Sequence, residues 1–120
     1  VAGLGRNGIA TFLFEHNTLS DLFDFFALNS QGGGSVTARD NILIGDTAMS
    51  VTGPSTTVSY SLCDDALQCR GANQIIGTPT FVGGAPAAIV TFAGWELSAG
   101  SLGENAGHDG LDVGLSDPTP

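Results

Sequence analysis

The stretch Phe12-Leu-Phe-Glu-His-Asn17-Thr-Leu19 is followed, 24 residues later, by a second stretch of the same pattern, Val36-Thr-Ala-Arg-Asp-Asn41-Ile-Leu43. In each stretch apolar residues alternate with other residues, an asparagine follows, and a further apolar position closes the pattern. The alternation has the period of two that is typical of β-strands. A repeat of about 24 residues indicates a solenoid, in which each coil of the chain buries its apolar face by stacking on its neighbours.

The repeat also predicts a register between neighbouring coils. Four positions of the first stretch match four of the second: Phe12 with Val36, Phe14 with Ala38, Asn17 with Asn41 and Leu19 with Leu43. Stacked coils lie about 4.8 Å apart, so the side-chain amides of the two asparagines are expected to hydrogen bond in a ladder. Such a ladder offsets the cost of burying a polar amide.

The composition favours short strands and turns over long helices. The chain has 120 residues, of which 18 are glycine, and a glycine inside a helix costs about 1 kcal/mol relative to alanine. A chain of this length is typical of one domain with a narrow core. We therefore expect an all-β fold whose coils occupy residues 1–115, with residues 116–120 as a tail or the start of a linker.

The chain is strongly acidic. Three arginines and no lysine stand against 12 acidic residues, which gives a formal net charge of −9. Such a surface repels phosphate, so nucleic acids and anionic membranes are not expected as partners. No segment approaches the roughly 18 apolar residues of a membrane-spanning helix, and membrane insertion is not expected either. Acidity of this kind is typical of solubility in an extracellular or saline setting, and the alternative is a role in cation binding.

Two cysteines, Cys63 and Cys69, lie six residues apart around a short polar loop. This spacing allows a local disulfide, and the alternative is a pair of free thiols. Two cysteines without a histidine at the usual spacing do not make a zinc site. A disulfide favours an exported protein, at the cell surface or outside the cell.

The strand pattern continues after the second stretch. Residues 57–62 follow a Gly-Pro-Ser turn and align with residues 38–42, which predicts a coil of about 20 residues. Further strand signals, separated by Gly and Pro, lie at residues 73–82, 88–92 and 95–97. The crowded apolar segment 19–28 is interpreted as a second face of the first coil, and the alternative is a short helix.

The order of these segments resembles a known family. The succession Asn41-Ile-Leu-Ile-Gly45, Val58-Ser-Tyr-Ser-Leu62, Gly77-Thr-Pro-Thr-Phe-Val82, Trp95-Glu-Leu-Ser-Ala-Gly-Ser101 and Gly107-His-Asp-Gly-Leu-Asp-Val-Gly114 is similar to the last coils of right-handed parallel β-helix proteins of the pectate-lyase-like superfamily. It is most similar to secreted bacterial repeat proteins with a C-terminal anchoring region. The resemblance covers residues 36–114 and implies a right-handed parallel β-helix of four to five coils, the C-terminal part of a longer solenoid.

The first candidates for catalysis are the neighbours Glu15 and His16, because a histidine beside a carboxylate can act as a general base. Adjacent residues of a strand point to opposite faces, however, which favours an exposed or corner histidine. One coil later, Arg39 and Asp40 are expected to lie near Glu15 and His16, where an ion pair on the surface is the simplest role.

Two further pairs are candidates for binding. Asp109 and Asp112 offer oxygen ligands to calcium, and the alternative is a pair of solvated turn aspartates. Otherwise no cofactor is expected. Tyr60 and Trp95 are candidates for stacking on sugars.

The sequence thus predicts a non-catalytic extracellular β-helix module with a structural, adhesive or carbohydrate-contacting role. The alternative is the C-terminal portion of a polysaccharide lyase, glycoside hydrolase or epimerase whose active residues lie outside this chain. Leu4, Ile9 and Phe12 would be exposed at an open N-terminal coil. We therefore expect end-to-end stacking on another copy or on an upstream β-helix segment, with polysaccharide as a further partner.

Overall fold

The computed structural model describes residues 11–20, 25–30, 34–45, 48–65 and 69–115. In these residues the chain is all-β, with short strands and almost no helix, which confirms the fold class expected from the composition. The strands are β1 (Thr11–Glu15), β2 (Thr18–Ser20), β3 (Phe25–Asn29), β4 (Ser35–Arg39), β5 (Ile42–Ile44), β6 (Ala48–Thr52), β7 (Thr56–Ser59), β8 (Leu62–Cys63) and β9 (Ile75–Ile76). Two single turns of 3-10 helix follow, at Pro86–Ala88 and Ala93–Trp95.

The strands form three parallel sheets. The first sheet has the order β1-β4-β7, the second β2-β5-β8-β9 and the third β3-β6. The chain therefore passes through the three sheets in order and then returns to the first, so the neighbours within a sheet come from successive passes. Parallel neighbours need such long connections because a tight turn can only join antiparallel strands.

The register of the first two passes is the one that the 24-residue repeat predicts. In the first sheet Phe12 lies opposite Val36 and Phe14 opposite Ala38, and in the second sheet Leu19 lies opposite Leu43. The next pass is shorter, because Ala38 lies opposite Val58, 20 residues later. The described parts of segment 19–28 belong to β2 and β3 and not to a helix. The predictions for Leu4, Ile9 and the tail at 116–120 lie outside the described residues.

Strand β5 shows where the core lies, because all three of its residues are buried. The side chain of Leu43 packs into a cluster between the sheets, with Val36, Ala38 and Val58. Ile42 and Ile44 face the other way, into a second cluster with residues that come later in the chain: Leu62, Phe81, Leu97 and Val113. Each fully buried side chain of this size contributes about 1.5–3 kcal/mol. The C-terminal segment is thereby held against the outer face of the second sheet.

Cys63 and Cys69 form a disulfide, with their Cα atoms 5.7 Å apart. This confirms one of the two alternatives that the spacing left open, and it indicates an oxidising environment outside the cytoplasm. In the described part of the chain, no helix is long and apolar enough to cross a membrane.

Candidate functional site

The chain turns sharply between the first and second sheets, at one residue in each pass. These four residues have left-handed backbone conformations: His16 (φ 57°), Asp40 (φ 61°), Tyr60 (φ 54°) and Asn73 (φ 55°). Histidine, aspartate and asparagine are among the residues that tolerate this conformation best, whereas it is uncommon for a bulky tyrosine. Because the passes stack in register, the four residues lie in one row along the corner of the fold.

The residues that follow this corner form an amide ladder. Asn41 is buried, and its Oδ1 accepts hydrogen bonds from Asn17 N–H at 2.9 Å and from Asn17 Nδ2 at 3.2 Å. Its own Nδ2 donates to Phe14 O at 2.9 Å. The same position of the next pass is Ser61, whose buried hydroxyl has no hydrogen-bond partner in the described part of the chain. The ladder of side-chain amides is therefore limited to the first two passes.

Asp40 is the buried acid of the corner. Its side chain is fully buried, and Oδ1 accepts the backbone N–H of His108 at 2.8 Å. Oδ2 forms a short hydrogen bond with Nδ1 of His108. A Cβ at Gly107 would lie 3.1 Å from Asp40 Oδ1 and 2.9 Å from Leu111 O, so the absence of a side chain lets the turn approach the carboxylate. Both oxygens of this buried acid are thus satisfied by one histidine from the C-terminal segment.

His16 connects the corner to the same C-terminal segment. Its Nδ1 lies 3.1 Å from Gly114 O, and its Nε2 lies 3.0 Å from Asp109 Oδ2 and 3.4 Å from Asp40 Oδ2. Gly114 has a φ of 73°, and a Cβ there would lie 2.8 Å from Thr18 Oγ1, which is why glycine suits this position. One imidazole therefore lies between two carboxylates and a backbone carbonyl.

These contacts shift two pKa values in opposite directions. Burial lowers the pKa of His16, but the hydrogen bonds to Asp109 and Gly114, together with the charges of Asp40 and Asp109, outweigh it and raise the pKa above 6.5. For Asp109, burial raises the pKa, but the hydrogen bonds from Leu111 N–H and His16 and the charge of His16 outweigh it and lower the pKa. Both shifts favour the charged pair.

The other predicted catalytic residues form a surface ion pair. Arg39 Nε lies 2.9 Å from Glu15 Oε2, across neighbouring passes, with both side chains about one third exposed. An exposed pair of this kind contributes about 0–1 kcal/mol. Glu15 and His16 are adjacent in sequence but make separate contacts, so their side chains do not form the general-base pair considered from the sequence.

A half-open cleft of about 250 Å³ lies beside His16. Asn17, Thr18 and Leu115 line it together with two aromatic side chains, Phe92 and Trp95. Phe92 is 69% exposed. Trp95 lies at the end of the second 3-10 turn and packs edge-on against Phe81, with ring centroids 5.3 Å apart. The cleft therefore combines an exposed ring, a fixed ring and several hydrogen-bonding groups.

The structure separates the other predicted binding pairs. Tyr60 does not line this cleft and lies against His108, with ring centroids 6.3 Å apart. Asp109 belongs to the His16 cluster, whereas Asp112 accepts a hydrogen bond from Asn105 N–H at 2.9 Å and is outside the cluster. Among the described residues, no group of three or more metal-ligating side chains contains both aspartates, and the calcium pair at Asp109 and Asp112 stays a prediction.

Sequence reasoning missed His108 and Phe92. His108 reads as an ordinary turn residue, because nothing local indicates that it contacts Asp40, 68 residues earlier. Phe92 stands among small and apolar residues in a segment that reads as a strand, and its exposure depends on the turn at Ala93–Trp95. Comparisons of the chain with protein-family models, with curated proteins and with solved structures found no match.

Proposed function

We propose that this chain is a segment of a right-handed parallel β-helix, and that it acts outside the cell as a non-catalytic module that contacts neutral polysaccharides through the cleft beside His16. The fold part of the proposal is supported by the order of the strands. Two successive passes through three parallel sheets, in a fixed register, are the arrangement expected of stacked β-helix coils.

The cleft carries the functional part of the proposal. Sugar rings have apolar faces that pack on aromatic rings, and hydroxyl groups at their edges that exchange hydrogen bonds. Phe92 and Trp95 offer the rings, while Asn17 and Thr18 offer polar side chains at the same cleft. Its volume of about 250 Å³ is somewhat below the about 300–1,000 Å³ of sites that enclose a drug-sized ligand. This size suits contact with a single ring of a longer chain.

The charge of the chain favours a neutral polysaccharide over an acidic one. The net charge is −9, and His16, which lines the cleft, has Asp109 at 3.0 Å and Asp40 at 3.4 Å behind it. A carboxylated sugar placed there would be repelled, whereas a neutral sugar would not. The disulfide supports the extracellular location.

The test is a binding titration with oligosaccharides. We expect the chain to bind cellohexaose or maltohexaose more tightly than hexagalacturonate, as measured by calorimetry. The fluorescence of Trp95, the only tryptophan, should change on binding. Phe92→Ala should weaken binding about tenfold, since it removes the exposed ring at a cost of about 1.4 kcal/mol.

The matched control is Val90→Ala. Val90 is 92% exposed, lies two residues from Phe92, and does not line the cleft, so this variant should bind like the parent chain. No binding of any of the three oligosaccharides at millimolar concentration would overturn the carbohydrate role, as would equal losses in the two variants.

A second candidate function is a polysaccharide-degrading enzyme. It is favoured by one observation, that two carboxylates and two histidines converge beside the cleft at His16, Asp40, His108 and Asp109. Incubation of the chain with polygalacturonate and with neutral polysaccharides separates the two functions. Growth of unsaturated-product absorbance or of reducing ends would favour the enzyme, and unchanged polysaccharides would favour the non-catalytic module.

A further inference from the structure

The contacts of His16 determine which ring nitrogen keeps its proton when the imidazole is neutral. A carbonyl oxygen only accepts hydrogen bonds, so the contact of 3.1 Å with Gly114 O requires that Nδ1 carries the proton. In neutral imidazole the lone pair then lies on Nε2. That lone pair faces two carboxylate oxygens, Asp109 Oδ2 at 3.0 Å and Asp40 Oδ2 at 3.4 Å. These three atoms are close enough to share one cation, either a proton on Nε2 or a metal ion in its place.

Each of these three side chains is also oriented by a backbone group, which contacts the second polar atom of the same imidazole or carboxylate. Gly114 O holds Nδ1 of His16, Leu111 N–H donates to Asp109 Oδ1 at 3.1 Å, and His108 N–H donates to Asp40 Oδ1 at 2.8 Å. Metal ligands in proteins are commonly oriented in this way, through a hydrogen bond to the atom that does not bind the metal. These contacts leave Nε2 of His16 and Oδ2 of both aspartates on the inner side of the cluster, where the ligand atoms lie within 4.8 Å of one another.

We propose that His16, Asp40 and Asp109 bind a divalent transition-metal ion of the zinc class. Ligand atoms at about 2.0 Å from a tetrahedral ion lie about 3.3 Å from one another. Two distances between the ligand atoms are 3.0 and 3.4 Å, and the ligand atoms of all three residues lie within 4.8 Å of one another. Two carboxylates also balance the double charge of the ion.

The nitrogen ligand distinguishes this site from a calcium site. Calcium and magnesium take oxygen ligands, whereas imidazole together with carboxylate suits zinc and its neighbours in the first transition row. His108 is a positioning residue, because its Nδ1 and its backbone N–H both contact Asp40. Asp40 Oδ2 has lone pairs for both His108 and a metal ion. Three protein ligands leave a fourth position for water or for a group in the neighbouring cleft.

This proposal does not depend on sugar binding. It is tested by titrating the full, untagged chain with Zn²⁺ alone, after treatment with a chelator and dialysis. We expect one equivalent to bind with a dissociation constant in the micromolar range or below. Binding of Co²⁺ at the same site should give visible absorption bands with the intensity of a four-coordinate ion, and the ¹⁵N resonance of His16 Nε2 should shift on Zn²⁺ binding while Nδ1 keeps its proton.

Two variants of the ligands have a matched control. Asp109→Asn and His16→Asn should each weaken Zn²⁺ binding at least tenfold, and asparagine is compatible with the left-handed conformation at position 16. Asp112→Asn removes a carboxylate from the same segment but outside the cluster, so its affinity should match that of the parent chain. Folding of each variant is checked by circular dichroism at the same time.

Two results would overturn the proposal. The first is the absence of Zn²⁺ binding at concentrations up to 1 mM, which would mean that a proton alone separates His16 from the two carboxylates. The second is an equal loss of affinity in Asp109→Asn and Asp112→Asn, which would mean that zinc binds diffusely to the acidic surface.

Discussion

The two halves of the described chain are held together in different ways. The described residues between Thr11 and Cys63, the paired half, form strands β1 to β8, which lie in three parallel sheets. Residues 77–115, the irregular half, contain two 3-10 turns and one isolated bridge, between Phe81 and Leu97, and are held by turns, scattered backbone hydrogen bonds and side chains. The candidate site combines both halves, because His16 and Asp40 come from the first and His108, Asp109 and Gly114 from the second. Paired strands therefore supply a rigid row of corner residues, and the irregular segment supplies the groups that cover it.

The largest effect on stability is expected when an asparagine of the paired half is replaced, in comparison with an asparagine of the irregular half. Asn41→Ala, in the paired half, removes the acceptor of Asn17 N–H and the donor to Phe14 O. Each buried polar group left without a partner costs about 1–3 kcal/mol. We therefore expect a loss of about 3 kcal/mol in the free energy of unfolding, measured by urea denaturation.

The matched variant lies in the irregular half. Asn105 is exposed, and its backbone N–H bonds to Asp112 Oδ1. Asn105→Ala keeps that backbone hydrogen bond. It places an alanine in a left-handed conformation (φ 54°), which should lower the free energy of unfolding by about 1 kcal/mol. If the two variants lost the same stability, the distinction between the two halves would be wrong.

A change of pH, in the presence of a chelator, is expected to have an intermediate effect on stability. The raised pKa of His16 contributes stability below pH 6.5, and that contribution is lost as the pH rises through the raised value. The lowered pKa of Asp109 contributes stability above pH 3.8, and that contribution is lost as the pH falls through the lowered value. The contact between the two halves is thus strongest between these limits.

The quantities to measure are the midpoint of thermal unfolding and the protection of the Gly114 amide from hydrogen exchange, at pH 6 and pH 8.5. We expect weaker protection at pH 8.5, with a difference of less than about 1 kcal/mol, as for a partly exposed ion pair. His16→Asn should abolish the pH dependence of the exchange. An unchanged pH dependence in that variant would mean that His16 does not hold the irregular half.

The smallest effect on the free energy of unfolding is expected from a substitution of Ser61. Its hydroxyl is buried without a partner in the described residues, so Ser61→Ala removes a polar atom that forms no hydrogen bond. The free energy of unfolding should remain within about 0.5 kcal/mol of the parent or rise slightly. A loss above 1 kcal/mol in urea denaturation would show that the hydroxyl has a partner and that the ladder continues into the third pass.

The paired half could be predicted from the sequence because its information is local and repeated. The spacing of Phe12 and Val36, and of Asn17 and Asn41, was sufficient to set the register. The position of Asp40 beside His16 followed from that register. The irregular half has no repeat, so the contact of His108 with Asp40 could not be inferred.

The lack of a repeat in the irregular half also explains why the positions of the aromatic candidates could not be predicted. Residue type alone makes Tyr60 and Trp95 candidates for sugar stacking, but their positions depend on how the segment after β9 packs. Trp95 lines the cleft and packs against Phe81, whereas Tyr60 packs against His108. Residue type alone does not determine which aromatic side chains share a surface.

The parallel stacking of successive passes is tested most directly by nuclear Overhauser effects between backbone protons in the first sheet. The parallel register predicts contacts of Leu13 with Thr37, and of Thr37 with Thr57. It also predicts a contact between the side-chain amides of Asn17 and Asn41. Antiparallel contacts between β1 and β2, or the absence of any contact between Asn17 and Asn41, would contradict it.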